Sequence, residues 1–121
     1  MKILIVDDST VVRTVVRQAL ETAGYTDIAE AVDGVDALKV AQSPRAQIGL
    51  YVLDVNMPQM DGITLVGELR KFDAKTPIIM LTTETDKGKM VQAKALGATG
   101  WIVKPFDAAK FLEVVRLFAK Q

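Results

Sequence analysis

Residues 48–62 read IGLYVLDVNMPQMDG. The first six, Ile48 to Leu53, form a near-continuous apolar run, the pattern of a strand covered on both faces in a parallel sheet. Asp54 stands at its end, and Met57-Pro58 and Asp61-Gly62 then punctuate a turn into the next segment. A carboxylate at the mouth of a buried strand is costly to desolvate unless something charged meets it, so Asp54 either caps a turn or takes part in chemistry.

The same unit recurs on both sides of this stretch. Apolar runs of strand length at residues 2–6, 27–31, 48–53, 77–82 and 99–103 alternate with amphipathic stretches of helix length. Five βα units of this kind predict an α/β fold with a doubly wound parallel sheet. The first helix fits the 3.6 period through Val12, Val15, Val16, Ala19, Leu20 and Ala23, with Ser9 as N-cap and Gly24 just past its end. The second starts near Asp33, the third after Asp61-Gly62, and the fourth runs from near Asp86 to before Gly97. The fifth carries Ala108, Phe111, Leu112, Val115 and Phe118 on one face, from which Leu117 points away. The second strand is the least apolar, as an edge strand would be, which gives the order 2-1-3-4-5. Right-handed crossovers then place helices one and five on one face and helices two, three and four on the other. In such a sheet a ligand sits beyond the carboxyl ends of the strands, where the order reverses between strands one and three.

Composition narrows the chemistry. At 121 residues, half of them apolar, the chain suits one compact domain. Lysine plus arginine equal aspartate plus glutamate at fifteen each, so no overall field draws it to nucleic acid or to an anionic membrane. Cysteine and histidine are absent, which excludes disulfides, thiolate chemistry, the usual general base and the commonest transition-metal ligand. Hard-metal oxygen chemistry survives. The opening MKILIVDDS is neither a signal peptide nor a membrane span, so a cytoplasmic protein is expected; a monomer is the expected state.

Asp7 and Asp8 follow the first strand, Asp54 the third, Thr82 ends the fourth and Lys104 follows the fifth. All five converge on one rim. Neighbouring strands lie about 4.8 Å apart, so Lys104 is roughly 10 Å from Asp54, a gap that a long lysine can largely bridge. Three carboxylates so close repel one another, and a divalent cation with oxygen ligands, magnesium above all, would relieve them. Metal on one side with hydroxyl and ammonium on the other make a cradle for a phosphoryl group joining or leaving Asp54, the candidate nucleophile. Singly, each residue has a plainer reading: the aspartates as helix or turn caps, Thr82 as a strand end, Lys104 and the helix-four lysines Lys87, Lys89 and Lys94 as solvated charges, Met60 as packing, and Met57-Pro58 and Asp61-Gly62 as turns. Capping needs no convergence, and the convergence favours a site.

Four motifs, VDDS at 6–9, LDVNMPQMDG at 53–62, LTTE at 81–84 and WIVKPF at 101–106, fall in order at the right strand ends. With these the chain resembles the response-regulator receiver domains, in particular the single-domain CheY type, over nearly its whole length. The resemblance implies the flavodoxin-like (βα)5 fold, whose 2-1-3-4-5 order that family shares. It implies that Asp54 accepts phosphate, that Asp8, Asp54 and the carbonyl of Asn56 hold magnesium with Asp7 acting through water, and that Lys104 and Thr82 contact the phosphoryl oxygens. It further implies a cis Lys104-Pro105 bond, Trp101 as aromatic switch residue beside Thr82, and Asn56 and Glu84 as residues that tune phosphoryl lifetime. The partners implied are a CheA-like histidine kinase as donor, a flagellar motor switch protein as target and a phosphatase.

Other classes fit less well. Haloacid-dehalogenase-like phosphohydrolases carry a general-acid aspartate two positions after the nucleophile, where this chain has Asn56, and 121 residues leave no room for a cap domain. A flavodoxin-like cofactor carrier needs phosphate-loop donors after the first strand, where DDST places two negative charges. A degenerate receiver would lack the intact acids, threonine and lysine. The expectation is a single receiver domain over residues 1–121 without an output domain, not an enzyme, signalling through another protein. A phosphorelay intermediate is the alternative.

Overall fold

A computed structural model describes residues 1–83 and 87–119. Five strands, β1 (Lys2–Val6), β2 (Ile28–Ala31), β3 (Ile48–Asp54), β4 (Ile78–Thr83) and β5 (Gly100–Lys104), alternate with α1 (Thr10–Thr22), α2 (Gly34–Ala41), α3 (Gly62–Arg70), α4 (Lys87–Leu96) and α5 (Ala108–Phe118). The strands pair in parallel in the order β2-β1-β3-β4-β5, as expected.

Strand alternation divides the apolar residues between two cores. Ile3, Ile5, Leu50, Val52, Ile79, Leu81 and Ile102 meet α1 and α5 through Val16, Leu20, Phe111 and Val115. Leu4, Val6, Tyr51, Leu53, Ile78 and Met80 meet α2, α3 and α4 through Ala37, Leu65, Val66, Leu69 and Ala93. The helices therefore lie on the expected faces, and Met60 packs against the second core.

Local rules set the helix ends. The side chains of Ser9, Asp33, Asp61 and Asp107 each accept the main-chain N–H three residues on, satisfying donors that the first turn leaves unpaired. Past α1, Gly24 takes φ +96°, a left-handed geometry that glycine adopts without a Cβ penalty.

Some boundaries differ from the sequence reading. β3, β4 and β5 each end one residue later, because parallel pairing sets Asp54 opposite Leu81 and Lys104 opposite Thr83, and β2, β4 and β5 begin one residue later than Asp27, Pro77 and Thr99. α3 begins at Gly62, with Asp61 as its cap, and the expected start of α4 near Asp86 lies outside the described residues. Val15 is 47% exposed, since it sits at the edge of the α1 stripe whose centre is Val16 and Ala19. Ala108 is exposed because α5 starts at the rim, before its first side chain to reach the sheet, Phe111. Leu117 points to solvent as expected. Among the described residues no helix is long and apolar enough to cross a membrane.

Candidate functional site

Four of the five rim residues, Asp7, Asp8, Asp54 and Lys104, meet directly, and Thr82 ends the neighbouring strand on the same rim. Lys104, at the end of β5, reaches over β4 and donates from Nζ to Asp54 Oδ1 at 3.0 Å and to Asp7 Oδ2 at 3.3 Å. Asp7 and Asp54 are almost wholly buried, whereas Asp8 faces solvent. One carboxylate oxygen from each of Asp7, Asp8 and Asp54 lies within 4.8 Å of the others. Three carboxylates and one ammonium leave an excess of negative charge around oxygen donors alone, a set that fits a hard divalent cation such as magnesium. Thr82 is buried at the end of β4, and its hydroxyl donates to the Thr83 carbonyl at 3.3 Å.

The charges are perturbed in opposite senses. Burial pushes the Asp54 carboxyl above its ordinary value; the Lys104 hydrogen bond opposes this, the Asp7 charge adds to it, and the Asn56 main-chain N–H opposes it. For Lys104, burial works against the ammonium, but the bond to Asp54 and the charges of Asp54 and Asp7 outweigh it and hold the group above its usual value.

The surrounding loops are tied down. Asp7 Oδ1 accepts the Ser9 N–H at 2.8 Å, and its carbonyl accepts the Arg13 guanidinium, which also meets Glu30 at 3.0 Å. A Cβ at Gly62 would clash with the Asp54 carbonyl oxygen, so only glycine lets α3 begin this close to the end of β3. The Lys104-Pro105 bond is cis. Trp101 lies on edge strand β5 opposite Met80, on the α4 side, and is 39% exposed.

Asn56 is exposed on the loop after β3, and its Oδ1 accepts a hydrogen bond from Lys89 Nζ at 2.9 Å. Lys89 is thus more than the solvated charge read from the sequence. Glu84 lies outside the described residues. Sequence reasoning also passed over Arg13 and the steric role of Gly62. Gly62 stood inside a recognised turn, but nothing local marked Arg13 or Lys89, because their partners are set by packing.

Residues 3–116 match the family model described as the response regulator receiver domain, and the chain belongs to that family. Among its relatives, chemotaxis protein CheY1 of Helicobacter pylori is 39% identical over 108 residues, 88% of this chain and 86% of the relative. Chemotaxis protein CheY of Pseudomonas aeruginosa is 37% identical over 117 residues, 95% and 93% of the two chains. A solved structure of the chemotaxis response regulator CheY4 of Vibrio cholerae superposes with a TM-score of 0.85 at 43% identity, covering 97% of each chain.

Proposed function

We propose that this receiver is a phosphorylation-dependent signalling switch with Asp54 as the phosphoryl acceptor. The observation that carries the reading is the Lys104 ammonium held between Asp54 and Asp7 beside the acid trio. In transfer from a histidine kinase, an Asp54 oxygen attacks phosphorus, the bond from phosphorus to the donor imidazole nitrogen breaks, and that nitrogen keeps the electron pair. Lys104 and the Thr82 hydroxyl stabilise charge on the transferring oxygens, which is where such a site gains most. Asp8, Asp54 and the Asn56 carbonyl would hold magnesium, with Asp7 in support through water; the ion would supply charge neutralisation between the carboxylates and the phosphoryl group. The test is mass spectrometry after treatment with acetyl phosphate: one adduct is expected, absent in Asp54→Asn and in EDTA. An adduct persisting in Asp54→Asn would remove the assignment.

The downstream partner we favour is a flagellar motor switch protein, in keeping with the chemotaxis relatives. Val91, Trp101 and Leu117 are exposed on α4, β5 and α5, and Lys87 and Lys94 stand one turn to either side of Val91 on α4, a surface suited to an amphipathic segment carrying acids. A second reading, a phosphorelay intermediate, draws on an apolar cleft of about 430 Å³ lined by Val11, Val12, Val15, Pro105 and Phe106 beside Lys104. A protein that takes the phosphoryl group onward must press a histidine against the Asp54 mouth, and this cleft gives it apolar ground. Phosphorylated protein offered a motor switch peptide and a histidine phosphotransfer domain separates the two: tighter binding to the peptide supports the first, loss of phosphoryl to the domain the second.

A further inference from the structure

Burial holds α4 weakly, since Ala93 is its one fully buried residue among those described, while α3 buries Leu65, Val66 and Leu69. Polar ties at the two ends of α4 therefore carry much of its placement. At the far end, Arg70 Nε and Nη2 donate to the Gly97 carbonyl at 3.1 and 2.9 Å. At the near end, Lys89 Nζ donates to Asn56 Oδ1 at 2.9 Å. Asn56 follows Asp54 by two residues, and α4 follows β4, the strand paired with β3, so this second tie joins the segments above the strand ends that carry Asp54 and Thr82. Asn56 is held from both sides, by its main-chain N–H toward Asp54 and by its side chain toward α4. An ammonium has no acceptor, so the amide must turn its oxygen to Lys89, which occupies one of the two lone pairs that could align a water molecule.

We propose that Lys89 is a positioning residue for the phosphoryl group on Asp54, holding the Asn56 side chain across the mouth of the site and slowing attack by water. This rests on Asp54 being the acceptor. In hydrolysis a water oxygen attacks phosphorus opposite Asp54, the bond from phosphorus to the Asp54 oxygen breaks, the electron pair leaves with the carboxylate, and both water protons stay on the released dihydrogen phosphate. Asp54 itself is buried, so the attacking side is the open mouth that Lys89 and Asn56 border. Lys89 only donates and offers that water no base.

The test uses the full chain labelled with radioactive acetyl phosphate in magnesium, freed of donor, and followed for release of inorganic phosphate. Lys89→Met, which keeps the stem, should release phosphate about fivefold faster, the effect of one exposed hydrogen bond. Lys89→Arg, which keeps a cationic donor, should stay close to the wild type. In an Asn56→Ala background Lys89→Met should add nothing, because the tie is already cut. Magnesium affinity by calorimetry should be equal in the wild type and both Lys89 variants, which a general loosening of the site would not leave untouched. Equal release from wild type and Lys89→Met, or an undiminished effect in Asn56→Ala, overturns the proposal; the latter would mean that Lys89 acts by a route other than Asn56. Wild type that takes up no label at all fails earlier, at the acceptor assignment, and removes this inference with it.

Discussion

Burial opposes the charge on both Asp54 and Lys104, yet the two respond differently, because Lys104 faces two carboxylates while Asp54 faces an ammonium and a second carboxylate. With its pKa raised above the unfolded value, Asp54 binds a proton more readily in the folded chain. Its contribution to stability is present below the unfolded pKa and is lost as pH rises through the folded one. Once ionised, and without metal, Asp54 therefore works against folding. Asp54→Asn should stabilise the metal-free protein by about 1 kcal/mol, a rise of several degrees in Tm. The gain should shrink in magnesium, which offsets the same repulsion, and thermal denaturation in EDTA and in magnesium checks both. Lys104→Ala should do the reverse, lowering the Tm in EDTA, because it leaves Asp54 and Asp7 buried without their cation.

Elements depend on a few contacts at their ends. The start of α3 rests against the end of β3, and Gly62→Ala would drive a Cβ into the Asp54 carbonyl. That backbone has little freedom to retreat, so a loss of about 2 kcal/mol or more and weaker magnesium binding are expected, read by urea denaturation and calorimetry. The turn between α3 and β4 is held by Asp73, which accepts the N–H groups of Thr76 and Lys75 and the Tyr51 hydroxyl. Burial pushes the Asp73 carboxyl up, but the bonds from Thr76, Lys75 and Tyr51 outweigh it and hold the group below its ordinary value. A lowered folded pKa means stability that is present above the unfolded pKa, about 3.9, and lost as pH falls through the folded one. Asp73→Asn should cost about 1 kcal/mol at pH 7 and make acid unfolding less steep below pH 4, with circular dichroism as the readout.

For the whole molecule, two packed states differ only as far as a ligand makes different contacts in each. If Asp54 carries the phosphoryl group, as proposed, its new acceptor oxygens would face the Thr82 hydroxyl one strand away, and a shift of Thr82 toward them would open room behind β4 for Trp101 on β5. Trp101 is the only tryptophan, so its emission isolates this event. Adding magnesium with beryllofluoride should alter Trp101 emission or quencher access, and Thr82→Ala should blunt the change while leaving metal binding intact. A silent Trp101 alongside rising partner affinity would place the coupling in α4 alone.

Strand order, the two helical faces, the cap at Ser9, the start of the second helix near Asp33 and the placing of Asp7, Asp8, Asp54, Thr82 and Lys104 on one rim were legible in the chain. Each follows from short-range pattern: apolar runs, the 3.6 period, turn residues at fixed offsets and the right-handed crossover. Strand ends slipped by one residue because pairing with a neighbour, not local sequence, decides where a ladder stops. Arg13 on the Asp7 carbonyl and Lys89 on Asn56 were decided by the tertiary structure alone, since a long cationic side chain carries no local sign of the partner it will find once its helix is packed on the sheet.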